Sequence, residues 1–264
     1  MGWSRIAGIV RKLRLVAASD LRSFDKLRYV VNAARQGSGV LAYSLRGGAS
    51  VALRQGTTDP KVFDEIFVER AYGSCVAALP KNLGPVALID LGANIGLSAL
   101  FFARALEVHE IIAVEPDPDN FAFLSANLQT SGLANRTTAV HAFAGAEHAC
   151  AQLHDPGNGA WGMRMGALSD IGTPVLPLAQ IAKRAKSNTP LMLKCDIEGG
   201  EREIFLHISD WDHLIRYIVL ELHTEFLRFD ELLACLAASR FQWSIHGAPP
   251  DGASIVLLLL ERLP

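Results

Sequence analysis

The sequence predicts an α/β fold with a mostly parallel sheet covered on both faces and an antiparallel final strand. Three observations carry this. From about residue 85 short apolar runs alternate with helical patterns. The runs are apolar almost throughout, as strands buried on both faces are. The tail "FQWSIHGAPPDGASIVLLLLERL" joins two strand-like runs by a Pro/Gly turn with no helix between them, so the last strand returns antiparallel.

Residues 1–80 read as an extension of helix and hairpin, and residues 81–264 as the main domain. The extension begins with a helix around 20–36. In "VLAYSLRGGASVALR" two alternating runs flank Gly47-Gly48, a hairpin signal. "TTDPKVFDEIFVERAYG" opens on Thr/Asp cap candidates, carries Pro60 in its first turn and reaches Gly73, which predicts a helix ending there. In the main domain "PVALIDLG", "EIIAVEP", "TTAVHAFAG", "PLMLKCD" and "RYIVLELH" are successive strands. "HDPGNGAWGMRMG" reads as a loop long enough to cover a ligand, with Trp161 and Arg164 as candidate substrate contacts.

The chain of 264 residues is 50% hydrophobic with a formal net charge of −2, which suits one medium-sized domain plus an extension. Near-neutral charge offers no electrostatic case for a nucleic-acid partner. Cys75, Cys150, Cys195 and Cys235 lie far apart, without disulfide or zinc spacing, so no structural metal is expected. Basic residues interrupt the apolar N-terminus "MGWSRIAGIVRKLRLVAASDLRSF", so no signal or membrane span is predicted. A basic amphipathic helix touching a membrane is the minor reading there, and a packed helix the major one. The chain reads as cytoplasmic.

In "LIDLGANIGLS" a buried strand ends at Asp90, and a turn with Gly92 and Gly96 leads into a helix whose free amides face a ligand. The G-x-G-x-x-G fingerprint is missing, which disfavours a nicotinamide oxidoreductase. An acid at that strand tip suits a cationic ligand without pyrophosphate. Glu115 ends the next strand, where an acid reaches ribose hydroxyls, while Asp117 and Asp119 read as helix caps.

In "LMLKCDIEGGEREIF" charge is too dense for an unpaired core. Asp196 sits at the carboxyl end of its strand, placed to contact a cofactor's amino group, orient a hydroxyl or take its proton. Glu198 divides between helix capping and catalysis, Glu201 reads as a first-turn acid, and Lys194 belongs to the strand's surroundings. His223 ends "VLELH" on the same rim, as a proton acceptor or a packing histidine. Asp196, Glu221 and His223 are three groups suited to a hard divalent metal, but two strands alone do not make a site, and none is assigned. His141, His148 and His154 form no pattern.

The set "IDLGANIG", "VEPDPDNFAFLSANL", "LMLKCDIEGGE" and "IVLELH", in this order, resembles the FkbM-type S-adenosylmethionine-dependent methyltransferases, and "LRQGTTDPKVFDEIFVERAYG" is similar to their lead-in. The resemblance covers roughly residues 50–225. It implies a class I methyltransferase, Rossmann-like sheet of seven strands with the last antiparallel, and S-adenosyl-L-methionine as cofactor. By position it implies that Asp90, Gly92, Ala93, Asn94 and Gly96 line the methionine and ribose part. Glu115 and Pro116 then hold the ribose edge, and Phe143 and Ala144 border adenine. Members often carry Leu-Asp where this chain has "LPLAQI", so any task of that Asp is absent or moved. The implied activity is O-methylation of a hydroxyl on a sugar, glycolipid or secondary metabolite, with Asp196, Glu198 or His223 as the catalytic group. N-methylation of an amine or peptide, and a cofactor-binding partner without turnover, are the alternatives.

Overall fold

The computed structural model describes residues 13–33, 37–155, 157, 164–247 and 253–263. The N-terminal part holds helix α1 (Ser23–Ala33) and the antiparallel pair β1 (Gly39–Ser44) and β2 (Ser50–Gln55), turning at Gly47-Gly48 as the sequence predicts. Helix α2 (Asp59–Phe63) does not run on to Gly73. It loosens into a π-helical turn at Asp64–Val68, Arg70 takes a left-handed φ of 59°, and Gly73 instead opens α3 (Gly73–Ala78). Gly73 N donates to Arg70 O at 2.7 Å, closing the reversal that the expected single helix lacked.

The main sheet is built from β3 (Val86–Leu91), β4 (Val108–Glu115) and β5 (Thr137–His141), then β10 (Leu191–Cys195), β11 (Ile215–His223), β12 (Phe241–Ile245) and β13 (Ile255–Arg262). Its order is β12-β13-β11-β10-β3-β4-β5, with β13 antiparallel to both neighbours and β11-β10-β3-β4-β5 parallel. This is the seven-stranded class I methyltransferase sheet that the resemblance implies. Helix α4 (Leu97–Ala105) follows β3. Helix α5 (Pro118–Thr130) follows β4 and starts on Asp117, whose carboxylate accepts from Asn120 N at 2.7 Å with Pro118 in the first turn.

Between β5 and β10 the chain leaves the main sheet. "TTAVHAFAG" is not one strand but two, and the second, β6 (Phe143–Gly145), pairs elsewhere. With β7 (Ala149–His154), β8 (Arg164–Ser169) and β9 (Thr173–Pro177) it forms a four-stranded sheet of order β6-β9-β7-β8. The expected loop at 154–166 therefore ends in strand from Arg164 onward. Four strands of three to six residues with partly exposed faces carry little periodic signal, so this sheet escapes a local reading. Helix α6 (Leu178–Ala182) follows it, α7 (Glu201–Leu206) follows β10, and α8 (Phe229–Ala237) follows β11.

Alternation along the strands divides the core. Ile89, Leu193, Leu220 and Val114 point into a cluster with Phe205 and Trp211. Leu88, Met192 and Val219 point into the other cluster, which Tyr29, Tyr43, Phe63 and Phe67 of the N-terminal part share. Asp90, Lys194 and Glu221 have the parity of this second set, so ionisable groups reach the strand tips beneath the N-terminal segments. No helix among the described residues is long and apolar enough to cross a membrane. The basic stretch 1–12 lies outside the described residues.

Candidate active site

A cavity of about 440 Å³ opens over the carboxyl ends of β3, β4, β10 and β11, within the size range of small-ligand sites. One end of it is backbone. After β3 the chain turns through Gly92 (φ 69°) and Asn94 (φ 49°), and the Gly92 and Ala93 amides both donate to Val114 O at 3.1 and 3.0 Å. Glu115 takes Asn94 N on Oε2 at 2.7 Å and Asp117 N on Oε1 at 3.0 Å. Burial pushes the Glu115 carboxyl up to about 7, although these amides pull the other way. Gly92, Ala93, Asn94, Glu115, Pro116, Phe143 and Ala144 all line the cavity.

Asp90 and Gly96 are placed differently from the expectation. Asp90 is fully buried below the cavity, where its Oδ2 accepts from Ser98 Oγ at 2.6 Å and its Oδ1 lies 3.3 Å from Lys194 Nζ. It is not among the lining residues, and burial raises its pKa ahead of the opposing pull of Lys194. Gly96 faces α5: a Cβ there would meet Leu124 Cδ1 at 2.9 Å. Its φ of 88° sets the entry to α4, so packing against α5 and the turn itself both require a glycine here.

The Lys194 ammonium, fully buried, knots the floor together. It donates to Gly92 O at 2.8 Å and Leu91 O at 3.2 Å, and faces Asp90 at 3.3 Å and Asp196 Oδ2 at 3.5 Å. Burial works against its charge, but Asp90 and Asp196 outweigh this and raise its pKa. The Gly92 turn touches the next strand so closely that a Cβ on Gly92 would lie 1.8 Å from Asp196 O. The cofactor turn and the Asp196 tip are thus one contact.

The other end of the cavity is crowded with acids. Asp196, about a quarter exposed at its side chain, and Glu198 both line it. Glu198 has a left-handed φ of 52°, rare for a side chain of its kind, ahead of Gly199. Burial and then the Asp196 charge push the Glu198 carboxyl up to about 7. Glu201 is the first residue of α7, as predicted for a first-turn acid, yet it does more than cap. Fully buried, it accepts from Ile197 N at 3.2 Å and Gly199 N at 2.8 Å, and pairs with His223 Nδ1 at 2.9 Å. Burial lowers the His223 pKa, but Glu201, Asp196 and Glu198 outweigh it and hold it up at about 9. Glu221 is pushed up to about 8 by burial, then by Asp196 and Glu65, and accepts a short hydrogen bond from the Tyr72 hydroxyl.

Of the expected substrate contacts, Arg164 lines the cavity, pairs with Glu225 at 2.9 Å and lies 4.5 Å from the Phe226 ring centroid. Trp161 lies outside the described residues. Sequence reasoning missed Tyr72 and Glu65, which come from 149 residues before Glu221 in the case of Tyr72; no local signal exists for such a pairing. For Lys194 a signal was present. A lysine inside an apolar strand must find a partner, and register sets Lys194 beside Asp90.

Residues 90–243, more than half of the chain, match the family model described as the methyltransferase FkbM domain.

The chain belongs to the FkbM methyltransferase family.

Among curated proteins it is similar to methyltransferase sdnD of Sordaria araneosa, 40% identical over 67 residues, which are 25% of this chain and 24% of that protein. Among solved structures it is similar to an FkbM methyltransferase of Methylobacillus flagellatus KT, at 17% identity and a TM-score of 0.45, covering 66% of this chain and 43% of the other. It is also similar to the methyltransferase domain of METTL16, at 14% identity and a TM-score of 0.48, covering 81% and 74%. The shared stretch is therefore about a quarter of the curated relative's length and less than half of the FkbM structure's.

The FkbM family takes S-adenosylmethionine, and the residues present fit it. Gly92 brings bare backbone to the cavity wall, Glu115 offers buried carboxylate oxygens for ribose hydroxyls, and Phe143 supplies an aromatic wall for adenine. Six carboxylates line the cavity against two fixed cations, Lys194 and Arg164, which suits a ligand carrying a sulfonium and an ammonium.

Proposed function

We propose that the protein is an O-methyltransferase acting on a hydroxyl of a small molecule, sugar or glycolipid. The observation that carries this reading is the Asp196 carboxylate, held at the cavity rim in direct backbone contact with the Gly92 turn. S-adenosylmethionine supplies a methyl already activated by its sulfonium; the acceptor oxygen bonds to that carbon as the carbon–sulfur bond breaks in line. Asp196 orients the hydroxyl and takes its proton. Lys194 keeps Asp196 in place, and Glu201 keeps the His223 ring turned with Nε2 toward the rim. The excess of lining carboxylates favours a neutral or cationic acceptor over a nucleic acid, whose phosphates meet repulsion there.

The same acidic lining favours a second reading, N-methylation of an amine, for which a base matters less. Calorimetry with S-adenosylhomocysteine and NAD, then methyl-transfer assays on hydroxylated and amine acceptors, tests both. Binding of S-adenosylhomocysteine and methylation of hydroxyls support O-methyl transfer. Methylation of amines alone overturns it in favour of the second reading. Cofactor binding without product from either set leaves a partner protein without turnover.

A further inference from the structure

The acids at the rim are more than a proton acceptor needs. Asp196, Glu198 and His223 each offer one ligand atom, and those atoms all lie within 4.8 Å of one another. Oxygen and nitrogen ligands stand about 2.0 to 2.6 Å from a hard divalent ion. Donors on neighbouring corners of its shell are then about 3 to 3.5 Å apart, and those on opposite corners about 4 to 5 Å. His223 Nε2 to Glu198 Oε2, at 3.5 Å, has the length of one such edge.

A second observation concerns the imidazole. His223 is 5% exposed and lines the cavity, and its Nε2 faces Glu198 Oε2 at 3.5 Å, so an ion bound here takes the place of the proton on that nitrogen. Its Nδ1 is already committed to the fully buried Glu201, which also grips the Ile197 and Gly199 amides. A carboxylate fixing one ring nitrogen so that the other points at a ligand is how metal-binding imidazoles are held.

We propose that Asp196, Glu198 and His223 bind one divalent cation, of the magnesium or manganese class, on the acceptor's side of the cavity. Water completes the shell, and an acceptor with neighbouring hydroxyls enters by displacing it. Each residue gives the ion one atom, so Asp196 keeps a second oxygen for the proton. The inference rests on the O-methyl reading only in taking this rim as the acceptor's side.

Manganese titration followed by electron paramagnetic resonance, on the full chain saturated with S-adenosylhomocysteine, tests it without any acceptor. The expected result is one bound Mn²⁺ per chain. Glu198→Gln, at the partly exposed rim, should weaken it at least tenfold while S-adenosylhomocysteine affinity stays within threefold, which also shows that the variant is folded. Glu65→Gln removes a charge from the same cavity outside the cluster, and should change Mn²⁺ affinity less than threefold. No binding at millimolar Mn²⁺, or equal weakening by both variants, overturns the cation site. Hydroxyl methylation that survives exhaustive chelation overturns it too, and leaves the O-methyl reading standing. Stoichiometric Mn²⁺ lost in Glu198→Gln, with no methylated hydroxyl in the panel, supports the site and sinks that reading instead.

Discussion

The two ends of the cavity are built on opposite principles. At the cofactor end the polar groups are matched: each Glu115 oxygen has its own backbone amide, and the donors come from residues within about one turn of the strand tips. At the rim Asp196 lies within range of both Glu198 and Glu221, and burial with its charge pushes both of them upward. Matched groups give a shape that waits for one ligand. Crowded carboxylates store repulsion that an arriving cation relieves, so the rim is the half that changes state when something binds. The two halves meet where Gly92 touches Asp196.

Gly92→Ala attacks that meeting point and should have the largest effect. The added carbon lies 1.8 Å from Asp196 O, a backbone atom held by Asp196 N on Leu91 O, and the φ of 69° strains any side chain. We expect a loss of about 3 kcal/mol or more, read as a lowered Tm, together with loss of S-adenosylhomocysteine binding. A variant with wild-type Tm and affinity breaks the contact described here.

The next pair separates the ends. Asp196→Asn should lower turnover by about 10²- to 10⁴-fold with S-adenosylhomocysteine affinity within about threefold. Glu115→Gln should do the reverse, weakening that affinity by about ten- to a hundredfold through its charge-assisted bonds, with the smaller change in kcat. Equal losses in both measurements for both variants show that the ends do not act separately.

The smallest effect is one of pH. Glu115 holds a proton below about 7, and the protonated carboxyl is a poor acceptor for ribose hydroxyls. S-adenosylhomocysteine should therefore bind about tenfold more weakly at pH 6 than at pH 8. Stability moves the other way for this group. Between its ordinary 4.5 and about 7 the folded chain keeps a proton that the unfolded chain has lost, so its contribution falls as pH rises through that window. A flat affinity profile in wild type, or the same slope in Glu115→Gln, removes Glu115 as the cause.

The main sheet was legible because its strands are apolar runs of ordinary length, and the motifs at their tips sit in one fixed order along the chain. Asp117 as a helix cap and the Gly47-Gly48 hairpin were legible because each depends on neighbours in sequence. The packing role of Gly96 was not legible because a glycine needed by a ligand and one needed by Leu124 look alike until the opposing helix is in place. Lys194 and Glu201 were understated for a related reason. How deeply a charge is buried is fixed by distant segments, and the Tyr72 to Glu221 pairing has no expression in either local sequence. The small sheet, with strands of three to six residues and partly exposed faces, left no periodicity to read.

Lys194 carries one more consequence. An ammonium has three protons to give; the backbone oxygens of Leu91 and Gly92 take two, and the Asp90 and Asp196 carboxylates, at 3.3 and 3.5 Å, crowd the side that is left. None remains for a visitor. A carboxylate on an incoming molecule finds no free lysine to grip at this depth, and a reagent that labels lysines meets exposed Lys81 and Lys183 instead. The cavity's deepest positive charge works as a rivet between two strands, and the molecules that come and go are met by the acids and amides around it.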